Sequence, residues 1–447
     1  MLNFPHCLVR LALSVLILAA PHVFATQAER QTLTTTLENG LRVYVREDRR
    51  APIVVSQIWY EVGSSYEPVG LTGISHVLEH LMFKGTERMP AGHFSKLVSL
   101  YGGSENAFTS RDYTGYFQAW GKSRLPISFE LEADRMQHLR LTQTQFDQEI
   151  KVVMEERRLR VDDQPTSKTY EHLLAAAYAS SPYGQPIVGW MHDLEALQLS
   201  DIQAWYETWY APNNAHLIVV GDVVAQEVFA LAEAYFGKIP ARKVPTAPAA
   251  AEIEPLGEKQ LQVRLGVEVE ELFLAFEAPN LKPGDHTWES YALMLLASVL
   301  DGGYSARFQS QLVRDQGVAA SVGAGYSGLS RGPTQFIVHA IPAQGHSLDQ
   351  LERAIFAEIE RVSTVPVASE EIERVLAQVL SSRVFSQDSI SAQAREIGNL
   401  VALGYPANLL DNLSTRLAEI TPEQIQQVAQ RYLTRDRLTL ARLVSNE

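Results

Sequence analysis

Two segments lying half a chain apart repeat one plan. Residues 202–220 read as a helix, then Trp209-Tyr210, a short loop and a strand; residues 425–443 read as a helix, then Arg431-Tyr432, a short loop and a strand. Tyr210 and Tyr432 stand 222 residues apart in a chain of 447. An internal duplication accounts for this better than a coincidence between two common helix–strand units. It predicts an α+β protein made of two homologous α/β-sandwich halves. The length agrees, since one core rarely covers so many residues. Between the halves, Ala247, Ala249, Ala250 and Ala251 mix with Pro245, Pro248 and Pro255. That composition marks a linker over 241–262.

The charge and the cysteine count narrow the function class. A formal net charge of -14 argues against nucleic acid as a partner, because phosphate binding needs a basic field. Cys7 is the only cysteine. It falls in a segment laid out like a secretory signal peptide: Arg10, an apolar run over 11–20, then Val23-Phe24-Ala25. The apolar core is short for a bilayer span, and cleavage after Ala25 is expected to remove residues 1–25. The mature chain then has no thiol for a disulfide, a nucleophile or a metal. No later stretch reads as a membrane span. An exported, periplasmic protein is expected.

The chemistry concentrates in His76-Val77-Leu78-Glu79-His80. On a helix, residues i and i+4 stand one above the other, so the two imidazoles can hold one metal ion. Glu79 lies in the same arc, placed to reach a water on the ion rather than the ion itself. Zinc takes nitrogen and oxygen ligands and keeps a position open for water. It lowers the pKa of that water toward ~7, within the range of a carboxylate base. Leu78, Leu81, Met82 and Phe83 make the helix substantially buried, which disfavours two merely solvated histidines. A third ligand is needed. The helical pattern over 144–161 offers Glu149, Glu155 and Glu156, and spacing alone does not choose among them. Glu149 and Glu156 share a face, with Val152 and Val153 expected to pack inward between them. A carboxylate on such a face is costly unless it meets a cation. Metal storage does not require Glu79, so its presence favours hydrolysis. In the second half, His286 and Glu289 are followed by Ser290 where a second histidine would stand, and no second metal site is expected.

His76-x-x-Glu79-His80 is the inverted zincin motif, and the chain resembles the pitrilysin family, which includes insulin-degrading enzyme and the mitochondrial processing peptidases. The likeness is greatest to bacterial members of about this length. It extends to Gly63-Ser64 and Glu67 before the motif, Phe83-Lys84-Gly85-Thr86 after it, Asn106-Ala107-Phe108-Thr109, and 149–165 with Glu155-Glu156 and Asp163-x-Pro165. It covers nearly all of the mature chain. The resemblance implies a zinc metalloendopeptidase holding one Zn2+ per chain on His76, His80 and Glu156, the last lying 76 residues beyond His80. It implies that Glu79 is the general base and that Glu149 orients a ligand by hydrogen bonding. It further implies peptide or unfolded-protein substrates that add a strand to a sheet edge at Asn106 and Ala107. The metal half would be 26–240, and 263–447 a homologous half without metal. Two such pairs of halves would close as a clamshell on dimerisation.

One departure stands out. Family members often carry an Arg and a Tyr in the second half that help to bind substrate. Here the matching region is 305–322; Arg314 can serve as the arginine, but Ala319-Ala320-Ser321 replaces the tyrosine. Two explanations are open: the chain manages without the tyrosine, as a homodimer, or, as the resemblance favours, it forms a heterodimer with a homologue that lacks the motif and supplies the missing element. The competing function is a non-catalytic or partner-dependent processing or assembly subunit. The intact set of His76, Glu79, His80 and Glu156 argues against it.

Overall fold

The computed structural model describes residues 31–282 and 288–446, so the expected signal peptide and His286 lie outside the described residues. Runs rich in Val, Ile, Tyr and Trp suit a pleated, half-buried surface, and they build the first sheet. Its strands are β1 (Thr32–Thr36), β2 (Arg42–Glu47), β3 (Ile53–Tyr60), β4 (Ser104–Thr109), β5 (Thr114–Gly121) and β6 (Ala215–Gly221), in the order β1-β2-β6-β3-β5-β4. The second sheet contains β7 (Lys259–Arg264), β8 (Glu271–Ala278), β9 (Ala319–Tyr326), β10 (Thr334–Pro342) and β11 (Leu438–Val444), in the order β7-β11-β8-β10-β9.

The two sheets share one topology. β2 lies parallel to β6, as β7 does to β11. The pairs β3–β6, β3–β5 and β4–β5 are antiparallel, as are β8–β11, β8–β10 and β9–β10. Only β1 has no counterpart. The repeated segments are helix Leu199–Trp209 leading to β6 and helix Pro422–Tyr432 leading to β11. The linker is shorter than its composition suggests. No helix or strand occurs over 241–258, but β7 begins at Lys259, where alternating Lys-Gln-Leu-Gln-Val-Arg pairs with β11.

One face of the first sheet packs on its own helices, with Phe129, Phe146, Val153 and Phe236 in the core. The other face is covered by a helix of the second half, Ile390–Ala402, which lays Ala394, Ile397 and Val401 on Val55, Trp59, Ile218 and Val220. In return, helix Pro165–Ala177 of the first half sets Leu173 against Phe273, Ala275 and Ala441 of the second sheet. Each half therefore needs the other to keep a sheet face dry. The fit is close at Gly398, where a Cβ would lie 2.2 Å from the Trp59 ring. Gly398→Val is expected to destabilise the whole chain by about 1–3 kcal/mol through overpacking, read as a lower unfolding midpoint in calorimetry. No described helix is long and apolar enough to cross a membrane.

Candidate metal centre and active site

The motif sits on helix Ile74–Leu81. The entry to this helix is fixed by backbone geometry. Gly73 has φ +87°, and a Cβ there would meet the Val188 carbonyl at 2.6 Å, so a side chain is doubly disfavoured. The Gly73 and Ser75 N–H groups donate to the two carboxyl oxygens of Glu67 at 2.7 and 2.9 Å. Glu67 thus satisfies amides that the first turn leaves without intrahelical partners. Val77, Leu78 and Leu81 turn into the core, fully buried. The opposite arc presents His76, Glu79 and His80 to a cavity.

Glu156 comes to these histidines from helix Gln143–Arg157, just before the chain widens into a π-type turn over Arg158–Asp162. Such turns recur at functional sites. Glu156 Oε2 lies 3.9 Å from His76 Nε2 and 3.3 Å from His80 Nε2. The three donor atoms fall within 4.8 Å of one another. A tetrahedral ion with bonds of about 2.0–2.2 Å needs donors roughly 3.3–3.6 Å apart, so the set fits zinc with small side-chain adjustment. At His76 the protonation fits as well. Burial, aided by the charges of His80 and Arg160, pushes the His76 imidazole down to about 3, leaving it neutral with a lone pair to offer. Burial also lowers His80, but the bond to Glu149 and the charges of Glu156 and Glu79 outweigh it and raise the group overall.

Glu149 occupies the far side of His80. Its Oε1 lies 3.0 Å from His80 Nδ1, and its Oε2 lies 2.5 Å from Lys84 Nζ. A carboxylate at Nδ1 keeps the proton there and leaves Nε2 free for an ion. Glu155 turns to solvent and pairs with Arg158 at 3.1 Å. The three glutamates that spacing left open therefore take three different positions. One expectation fails on this helix: Val153 is buried but Val152 is half exposed. Successive helical residues are about 100° apart, so the two valines cannot both face inward.

Glu79 stands beside the donor cluster without belonging to it. Thr109, the last residue of β4, donates its hydroxyl to Glu79 Oε2 at 2.6 Å. Burial raises the Glu79 carboxyl, against the lowering by that bond. The cavity in front of these groups holds about 630 Å³. Its walls are the motif helix, β4, helix Pro165–Ala177 through Tyr170 and Leu174, and residues 184–188. Asn106 and Ala107 line it from β4. β4 ends the sheet, and its outer side has no strand partner among the described residues. Arg314 is not part of this cavity. It lies in the helical turn Phe308–Asp315 of the second half, donates to the Tyr304 carbonyl at 2.6 Å and stacks over that ring at 3.9 Å. Ala320 lies in β9, the edge strand of the second sheet, and does not line the cavity.

Sequence reasoning missed three polar partners. Lys84 meets Glu149 of another helix, a tertiary contact without a spacing signal, whereas Arg160 sits four residues beyond Glu156 and reaches its Oε1 at 2.6 Å. That i, i+4 spacing was a readable signal. Thr109 gave none, because its contact depends on how β4 lies against the motif helix.

Comparison with known proteins identifies the chain's relatives. The model described as insulinase, peptidase family M16, matches residues 42–190, and the one described as peptidase M16 inactive domain matches 196–379. The division follows the motif, which only the first half carries. The zinc protease PqqE of Helicobacter pylori is 33% identical over 347 residues, 76% of this chain and 77% of that one. A zinc protease of Streptomyces coelicolor is 27% identical over 408 residues, 90% of this chain and 87% of that one. The crystal structure of a Helicobacter pylori protease superposes with a TM-score of 0.87 at 28% identity, covering 93% of this chain and all of that one, 100%. With its motif half and its motif-free half each matched in turn, the chain belongs to peptidase family M16, the pitrilysin group that the motif suggested.

Proposed function

We propose that this chain is a zinc-dependent endopeptidase acting on peptides or unfolded proteins in the periplasm. The observation that carries this reading is a closed set of three donors, His76, His80 and Glu156, with a second carboxylate, Glu79, beside them but outside the set. When bound, zinc would polarise a scissile carbonyl and make a water acidic enough to lose a proton near neutral pH. Glu79, its carboxylate steadied by the Thr109 hydroxyl, would take that proton as the water oxygen adds to the carbonyl carbon and would return it to the amine that leaves as the C–N bond breaks. Glu149 holds the His80 ring in its ligating tautomer. Asn106 and Ala107 offer the outer edge of β4 to an extended substrate, whose main chain pairs with it as an added strand. We assign the metal site to 26–240, whose residues line the cavity, and read 263–447 as a homologous half without metal. Export rests on the N-terminal segment; the Escherichia coli protein PqqL, described as a periplasmic protease, shares the fold with a TM-score of 0.77.

The test is metal content and cleavage of a quenched fluorescent peptide library by the mature chain. One zinc per chain with cleavage is expected, and a protein without zinc sinks the proposal. Glu149→Gln is expected to keep the fold and weaken zinc by about 10–100-fold, measured by competition with a chelator.

A second reading, partner-dependent activity, draws on the location of Arg314 outside the cavity and on Ala320 in place of a tyrosine. Under it the chain works as a dimer, with a homologue lacking the motif supplying the missing groups. Zinc binding without cleavage, followed by cleavage once that homologue is added, would favour it. Full activity of the isolated homodimer would exclude it.

A further inference from the structure

The connection between β4 and β5, residues 110–113, is held by the second half of the chain. Asp112 at this turn is 4% exposed. Its Oδ1 accepts from the Ser65 hydroxyl at 2.8 Å and from Arg331 Nε at 3.1 Å. Its Oδ2 accepts from the Tyr183 hydroxyl. Arg331 belongs to the connection between β9 and β10, the topological counterpart of 110–113. The two equivalent hairpin turns are thus joined by an ion pair across the halves.

Arg331 is engaged on every side. Its Nη2 donates to the Ser65 hydroxyl at 2.8 Å, its Nη1 to the Pro248 carbonyl, and its backbone N–H to the Tyr183 hydroxyl at 3.0 Å. Its guanidinium lies 4.6 Å from the Tyr66 ring centre. The turn it grips leaves no slack. The Ser64 and Ser65 amides donate to the Ser110 and Arg111 carbonyls at 3.1 and 2.8 Å. A Cβ at Gly63 would lie 2.2 Å from the Ser110 carbonyl oxygen. One residue before Ser110 stands Thr109, which holds Glu79.

We propose that Arg331 is a positioning residue for the reaction: by gripping Asp112 it sets the β4–β5 hairpin, and through it the Thr109–Glu79 contact and the substrate edge at Asn106–Ala107. The inference rests on the peptidase reading. It gives the motif-free half a direct part in the geometry of the site within one chain. The grip is strong because Arg331, partly exposed, meets a buried carboxylate through several hydrogen bonds, and removing it leaves the Asp112 charge buried and uncompensated.

The test compares wild type, Arg331→Met and Arg331→Lys, each also carrying Thr109→Val, in two measurements on the full mature chain. Amide hydrogen exchange reads the brace without any need for activity. Arg331→Met is expected to speed exchange over 104–113 while 74–81 and the zinc content stay as in wild type. Steady-state cleavage reads its use. Arg331→Met is expected to lower kcat by about tenfold, a smaller loss than displacements near 1 Å can cause, and Arg331→Lys to recover part of it. In the Thr109→Val background, Arg331→Met should cost little more, since both act on the same contact. Unchanged exchange over 104–113 overturns the proposal. So does faster exchange with unchanged kcat, or a full additional tenfold loss on Thr109→Val. A wild type without zinc or cleavage overturns the peptidase reading instead, and exchange then decides the brace by itself.

Discussion

Glu79→Gln should bind zinc as wild type does and cleave peptides about 10²–10⁴-fold more slowly, the range a positioned general base contributes. The substitution is nearly isosteric. The Gln side-chain oxygen can still accept from Thr109, so the contact at 2.6 Å and the packing of the motif helix survive. His76, His80 and Glu156 are untouched, and the metal should remain. What disappears is the carboxylate beside the donor set that can take a proton while leaving all three donors in place. Single-turnover cleavage with the zinc content measured in parallel checks this. Zinc retained with turnover near wild type would remove Glu79 from the chemistry and favour mere metal binding. Zinc lost along with turnover would make Glu79 a ligand, against its position outside the cluster.

The motif helix was legible because its chemistry and its periodicity coincide: two imidazoles at i and i+4 on a helix whose other residues are apolar. The third ligand was not legible from spacing. One helix offered three glutamates, and only the approach of that helix to the motif decides which meets His80 Nε2, which meets Nδ1 and which meets water. The duplication could be read at the helix–strand units ending in β6 and β11, where long apolar strands keep their pattern. It could not be read at β9, where Ala-Ala-Ser-Val-Gly-Ala-Gly-Tyr has weak strand propensity and takes its form from pairing with β10. β7 was hidden for a different reason: half its residues are exposed, so it merged with the polar linker before it. The exchange of helices between the halves left no sequence signal, since covering the sheet face of the other half is a purely tertiary event. The same holds for Asp112 and Arg331, 219 residues apart. Arg314 shows the opposite limit. A resemblance supplied its role, and the fold of this chain places it on the surface of the second half beside Tyr304.

Glu156→Ala should abolish the stabilisation of the protein by zinc. A ligand that binds only the folded state adds RT ln(1 + [L]/Kd), about 4 kcal/mol when zinc is present at a thousand times its Kd. With Glu156 present, three donors converge from two helices, so the ion ties helix Gln143–Arg157 to helix Ile74–Leu81. Without it, His76 and His80 remain as a pair on one helix, and the charge that compensates the ion is lost. The apo protein should suffer little, because Glu156 is only partly buried and its partner Arg160 is 76% exposed and can turn to water. Calorimetric scans with and without zinc therefore separate the two effects: a large upward shift for wild type and almost none for Glu156→Ala, from nearly the same apo midpoint. Glu155→Ala is the control on the neighbouring carboxylate. It pairs with Arg158 in solvent and should respond to zinc as wild type does. Equal zinc responses in Glu156→Ala and wild type would mean that the ion sits elsewhere, and equal losses in Glu155→Ala and Glu156→Ala would mean that the end of the helix, rather than one ligand, had been disturbed.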